Sequence, residues 1–354
     1  MSKRSLPARV AAVLISLASN AQASDDCNLD LRFIAAHDIP ATQTVDGDAF
    51  GGISGIDYDA RAAQWYLVSD DRSTQPPPRL FTASLDFNRE SVGGVQLLAS
   101  HRLQPLALDA EAIRVDPANQ TLLISGEGDA ASGAGPWLRR TNFSGRSLRE
   151  IPLPSLLQAR VDAGPRPNRS FEGLSLAAAP GELWLGTEAP LLQDGPPADA
   201  QLTADVRLTR MNQDGKILAQ YIYRTDVASK PGVGDSSDNG VSDILALTDT
   251  ALLVLERSGV KLAAGGFQFH TRLYCADVRP ATDVSDVTSL AGAIYQAASK
   301  RLLLDFDSLH ITAGNLEGVS WGPQPGAGLR SLVFVSDNNF FPDVPTQLLF
   351  FSVH

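Results

Sequence analysis

Acidic residues recur where short apolar runs end, and their spacing makes them the residues of this sequence best placed to do chemistry. Asp70, Glu127, Glu188, Glu256 and Asp337 each close such a run. Glu111, Glu172, Asp243 and Glu317 open the runs that precede four of them, with Ser54 in that place in the first. Carboxylates gathered at one place repel and raise one another's pKa unless a cation intervenes. A hard divalent ion with oxygen ligands, calcium before magnesium, answers that need. Five histidines and two cysteines, scattered along the chain, do not make a zinc site. We therefore expect Asp70, Glu111, Glu127, Glu188, Asp243, Glu256 and Asp337 as metal ligands. Acids at strand ends also cap turns, and repeats copy such residues from unit to unit, so the same set has a structural reading too.

Residues beside these acids complete the expected chemistry. Asp71 and Arg72 extend past Asp70, Asn338 past Asp337, and Arg169 precedes Ser170-Phe171-Glu172. An arginine next to a carboxylate ring can clamp a phosphate or carboxylate by two hydrogen bonds. Arg72, Arg169 and Asn338 are the expected substrate-binding residues, and Asp71, Glu172 and Glu317 the expected catalytic ones. Glu172 and Glu317 sit in matching F-E-G-L and L-E-G-V contexts, which also suit a turn-fixing role. Arg257 reads better as the ion-pair partner of an acid than as a ligand-binding group. A nucleophile is harder to find. Gly52-Ile53-Ser54-Gly55 is not a G-x-S-x-G elbow, and only His310 stands near enough to the acids in sequence to act as their acid or base. There is no glycine-rich phosphate loop, and the acids of Gly232–Gly240 have the wrong spacing for an EF-hand.

The elements that must position these acids repeat five times. The repeats begin at Gly51, Asp109, Ser170, Gly240 and Asn315, and each is a strand, a turn rich in Asp, Pro, Gly or Asn, and a second strand ending in an acid. Two more strand-like runs follow each pair, except that the fifth has only TQLLFFSV before the chain ends. Four strands per unit is a propeller blade. The unpaired run from Leu29, LDLRFIAAHDI, can take the vacant outer place in the fifth blade and remove an open sheet edge. The fold expected is an all-β propeller of four-stranded blades, five counted and six possible, closed by the N-terminal strand; a β-sandwich or a two-domain α/β protein is the rival. Helix is expected only around 155–160 and 287–298. In a blade, the start of the first strand and the end of the second lie at one face, so the acids should ring one mouth of the central channel.

Composition narrows the function. Net charge is −11 with 44% apolar and 19% charged residues, which describes a globular chain and disfavours a nucleic-acid binder. Lys3, Arg4 and Arg9 precede a short apolar run, Val10 to Ala18, and Ala21-Gln22-Ala23 offers small residues at a cleavage point. Residues 1–23 thus read as a secretory signal peptide, with 24–354 as one propeller domain in the periplasm or outside the cell. The run is too short to span a membrane, so no anchor is expected. In an oxidising compartment Cys27 and Cys275 either pair or remain as two separate thiols.

GGISGID with VSDDR, the acid-Gly repeats NRSFEGLSL and NLEGVSWGP, VSDILAL, LLVLERS, RLYCADV with ATDVSDV, and VSDNNF together resemble the phytase-like family of exported bacterial proteins, described by "esterase-like activity of phytase". The resemblance spans about Leu31 to Val353. It implies a propeller-type domain and hydrolysis of phosphoric or other esters. Two classes of function follow. One is a calcium-assisted ester hydrolase, monomeric, acting on a small phosphate or other ester. The other is a non-catalytic periplasmic propeller binding a ligand or protein at its acidic mouth. A serine esterase would need a Ser-His pair that the sequence does not display.

Overall fold

The structure is a computed structural model that describes residues 25–70, 78–87, 91–105, 109–129, 132–230, 233, 236–324 and 328–354. It is an all-β propeller of five four-stranded antiparallel blades. Blade 1 comprises Ile53–Asp59, Gln64–Ser69, Arg79–Phe87 and Val92–Arg102. Blade 2 comprises Ala110–Asp116, Thr121–Gly126, Trp137–Thr141 and Ser147–Glu150. Blade 3 comprises Gly173–Leu176, Glu182–Gly186, Asp205–Asn212 and Ile217–Arg224. Blade 4 comprises Ser237–Ala246, Ala251–Lys261, Phe267–Asp277 and Ser299–Asp305. Blade 5 takes its three inner strands from Asn315–Trp321, Arg330–Asp337 and Thr346–Val353. Its fourth is the N-terminal Leu31–Ile39, which pairs antiparallel with the C-terminal strand from Leu31↔Val353 to Ile39↔Thr346.

The apolar pattern of the repeats explains this packing. Buried side chains form five large clusters, each filling the space between two adjacent blades. Trp65, for example, lies between blades 5 and 1, and Trp184 between blades 3 and 4. Each inner strand touches the inner strands of both neighbours, so the ring closes on itself. At Gly318 a Cβ would come within 3.2 Å of the Ile56 nitrogen, and only a residue without one lets the strands approach this closely.

Farther along the inner strands, a buried polar cluster ties four blades across the axis. Arg114 of blade 2 donates to both carboxylate oxygens of Asp243 in blade 4, at 2.8 and 2.7 Å, and to the Ile56 and Ile244 carbonyls. Asp243 also accepts from the Val319 N–H of blade 5, at 2.9 Å. Asp57 of blade 1 accepts from Val115 N–H and Ser320 O–H. Burial outweighs the attraction of Arg114 and pushes the Asp243 carboxyl up to about 6.

Cys27 and Cys275 are joined by a disulfide that fastens the segment before the closing strand to the third strand of blade 4. Helix is scarcer than expected. Residues 155–160 contain one 3-10 turn, Ser155–Leu157. Residues 287–298 form no helix. Their chain instead runs along the outer edge of blade 3, where Ala298 N–H bonds to the Ile222 carbonyl and Leu290 packs on Ile222. Among the described residues, no helix is long and apolar enough to cross a membrane.

Candidate functional site

Strand pairing defines two levels of side chains at one mouth of the channel. Gly55↔Val68, Ala112↔Ser125, Gly173↔Gly186, Asp243↔Leu255 and Gly318↔Val335 are equivalent pairs in blades 1 to 5. The residue just before each first member is Ser54, Glu111, Glu172, Ser242 or Glu317, and in blades 1, 2, 4 and 5 it is the extra residue of a β-bulge. A bulge turns an additional side chain out of the ladder, here toward the mouth. Two residues beyond each second member stand Asp70, Glu127, Glu188, Arg257 and Asp337.

Blade 4 therefore departs from the expected pattern. Its positions at the two levels are held by Ser242 and Arg257, and neither Asp243 nor Glu256 belongs to the mouth. Asp243 is committed to Arg114, as described above. Glu256 projects from the opposite face of its strand. It forms a 2.7 Å ion pair with Lys300 and accepts hydrogen bonds from Tyr223 O–H, the Asn239 amide and Asp226 N–H. Both are engaged by protein groups and, contrary to the expectation from spacing, neither is placed to be a metal ligand at the mouth.

The remaining acids converge on a cavity of about 490 Å³. Asp70, Glu111, Glu172, Glu188, Glu317 and Asp337 line it. Glu127 lies against this set and accepts from Ser170 N–H. Asp109, absent from the sequence-based set, joins Glu111 and Glu127 with carboxylate oxygens all within 4.8 Å of one another. Glu127, Glu172 and Glu188 form a second such group. Burial, then the carboxylates of Glu172 and Asp109, holds the Glu111 carboxyl well above its usual range. Burial, then Glu127 and Glu188, does the same to Glu172. Burial, then Glu317 and Asp70, does so to Asp337. Glu188 is raised by burial and restrained by Arg257.

Positive charge is interleaved with these acids. Arg257 pairs with Glu317, donates to Asn315 Oδ1 at 2.9 Å and reaches Glu188 at 3.2 Å. Burial opposes its charge, yet Glu317, Glu188 and Glu172 outweigh burial and raise its pKa. Arg169 also lines the cavity and pairs with Asp238 at 2.7 Å, both partly exposed. Glu317, expected as catalytic, is held by Arg257 and by the Asn315 amide at 2.7 Å, so it orients the guanidinium.

Asn338 is a further correction. Its side-chain carbonyl accepts from Gly52 and Phe340 N–H and its amide donates to the Val344 carbonyl, so it fastens the loop between the second and third strands of blade 5 to the segment that leads into blade 1. Its neighbours Asn339 and Phe340 reach the cavity instead. Phe340 adopts a left-handed backbone, φ 52°, and its ring lies where any Cβ on Gly52 would stand. Ser54 and Ser242 donate to the Ala110 and Leu316 carbonyls of the next blade, a structural use that explains serine in place of an acid. His310 is exposed at the end of a 3-10 turn, away from the lining. Asp71 and Arg72 lie outside the described residues.

Comparison with known proteins gives the family. Residues 48–340 match the family described as "Phytase-like: Esterase-like activity of phytase". The chain belongs to the phytase-like family. No curated protein matches its sequence. Among solved structures, it resembles a thermostable family-43 glycoside hydrolase at 10% identity, covering 85% of this chain and 89% of the other, with a TM-score of 0.44. An endo-arabinase from Bacteroides thetaiotaomicron VPI-5482 gives 11% identity, coverages of 90% and 96% and a TM-score of 0.42. A glucose dehydrogenase gives 12% identity, coverages of 87% and 83% and a TM-score of 0.37. Likenesses this distant carry nothing about the chemistry of a phytase-like chain, which rests on its own residues.

Proposed function

We propose that this phytase-like protein is an exported, calcium-assisted hydrolase of phosphoric esters. The observation that carries the reading is the mixed lining of one cavity, in which a dense carboxylate group contributed mainly by blades 2 and 3 stands together with the guanidiniums of Arg169 and Arg257. A pure carboxylate ring would repel a phosphate, and a purely basic one would have no use for a cation.

The donor set fits a hard cation. Its atoms are all oxygens, and Glu111 Oε1 is buried with no hydrogen-bond partner. Asp109, Glu111 and Glu127 would hold the ion, which leaves Glu172 outside its ligand set. Bound there, calcium would neutralise phosphate oxygens and lower the pKa of a water. The chain's own groups do the rest. Arg257, fixed by Glu317 and Asn315, presents donors to phosphate oxygens, and Arg169 adds a second guanidinium at the rim. Glu172, which lines the cavity beside that ligand set, is the carboxyl placed to carry a proton to the leaving oxygen. Asp71, as a catalytic residue, and Arg72, as a substrate-binding one, remain proposals from the sequence. The leader-like segment 1–23 supports export and action on a small soluble ester.

The test is phosphate release from phenyl phosphate by the purified protein, in calcium and in EDTA, with phenyl acetate as the comparison ester. Release in calcium that stops in EDTA supports the proposal. Metal-independent turnover of the acetate alone would replace it with an esterase. Calcium binding without turnover of either ester would leave a ligand-binding propeller.

A further inference from the structure

The mouth carries an apolar wall that neither cation binding nor a phosphate clamp requires. In blade 4 the second and third strands continue past Arg257 as far as Lys261↔Phe267, beyond the level where the equivalent strands of blades 2 and 5 end. Strand alternation places Arg257, Gly259, Phe269 and Phe267 on one face of this extension, because Phe269 pairs with Gly259 and Phe267 with Lys261. Both phenylalanines line the cavity. Their rings stack with centroids 6.5 Å apart, and the Arg257 guanidinium lies 5.9 Å from the Phe269 ring. Phe267 is 53% exposed among the described residues, and with Phe269 it makes a pair of adjacent rings rather than one scattered apolar side chain.

Two further features give the wall a shape. A second recess of about 350 Å³ adjoins the mouth and shares Arg169, Asp238, Gly259 and Phe267 with it, with Pro196 and Pro197 on its far side. From the blade 5 side, Phe340 faces the cavity in its left-handed backbone conformation, pinned by Asn338 and lying beneath the Arg79 guanidinium at 5.7 Å. Strained, bulky residues persist only where their surroundings hold them, and they gather at ligand sites.

Resting on the phosphoric-ester reading, we infer that Phe267 and Phe269 receive the organic part of the substrate, which carries an aryl or similarly flat apolar group directly on the phosphate. With the phosphate held at Arg257 and Arg169, such a group extends over the two rings toward the recess beside Pro196 and Pro197.

The experiment is calorimetric titration of the calcium-loaded protein with phenylphosphonate and with methylphosphonate, which present the same anion and cannot be hydrolysed. The expected result is about tenfold tighter binding of the phenyl compound, the scale of partial burial of one ring. In the variant carrying Phe267→Ala and Phe269→Ala the preference falls to within twofold. Equal affinities in the unmodified protein, or a preference that survives both substitutions, would overturn the aromatic wall and leave the hydrolase reading intact. Binding of neither anion would overturn the mouth as a phosphate site and the wall with it. Because Phe267 is exposed, Phe267→Ala alone serves if the double variant fails to fold.

Discussion

Replacing Arg257 with glutamine separates the acidic from the basic groups of the mouth most cleanly. The substitution removes a guanidinium that contacts Glu317 and lies 3.2 Å from Glu188, and leaves both buried carboxylates without it. Removing one partner of a buried pair costs about 3–5 kcal/mol. With an unfolding entropy of about 2 cal/mol/K per residue, a chain of this size has roughly 0.7 kcal/mol/K at its midpoint. The melting temperature should therefore fall by about 4–7 °C at pH 7.5 in EDTA, read by differential scanning calorimetry. Glu188 already has a raised pKa, and without Arg257 it and its neighbours bind protons more readily still. At pH 5 more of them are neutral, less uncompensated charge is buried, and the deficit should shrink by half or more. Calcium at pH 7.5 should also narrow it, by replacing the lost positive charge. A fall below 1 °C, or one of equal size at both pH values, would refute the assignment of Arg257 as the counter-charge of the ring.

Other substitutions test the remaining parts. Asp243 has a folded-state pKa raised to about 6, so its contribution to stability is present below about pH 4 and is lost as pH rises through 6. Asp243→Asn removes that loss, so between pH 4 and 7 its stability should gain on the unmodified protein by up to about 3 kcal/mol, measured by denaturant titration; a constant difference across the range would contradict it. Glu256→Gln should lower the melting temperature by weakening the Lys300 pair while leaving calcium affinity within twofold by calorimetry, and a large loss of affinity would return Glu256 to the ion site. Reduction of Cys27–Cys275, or Cys275→Ser, should cost about 2–5 kcal/mol in thermal unfolding with and without reductant, and no change would show that the closing strand holds without the tie.

The fold was legible because each blade repeats one pattern, and because a C-terminal unit short of a strand and an unpaired N-terminal run point to each other. The site was legible where blades share spacing. Asp70, Glu127, Glu188 and Asp337 fall on equivalent positions, and so do Glu111, Glu172 and Glu317. Blade 4 misleads because Ser242-Asp243 and Glu256-Arg257 each offer an acid one residue from the equivalent place. A shift of one residue sends a side chain to the other face of a strand. The apolar position gives the register, since Ile56, Ile113, Leu174 and Val319 match Ile244, which puts Ser242 beside Ser54 and Glu317. Asn338 and Asp109 were harder to place. A bonding role inside a loop and a carboxylate set by a left-handed backbone at φ 56° depend on contacts that spacing does not encode.

The most direct test of the account is a calcium titration of phosphate release from phenyl phosphate, run in parallel on the unmodified protein and on Glu111→Gln. The account predicts no release in EDTA, saturable activation by calcium, and half-activation in Glu111→Gln at calcium at least tenfold higher, with much of the maximal rate recovered. Release that persists in EDTA, or the same half-activating calcium in both proteins, would contradict a catalytic ion held by the buried carboxylates of blade 2.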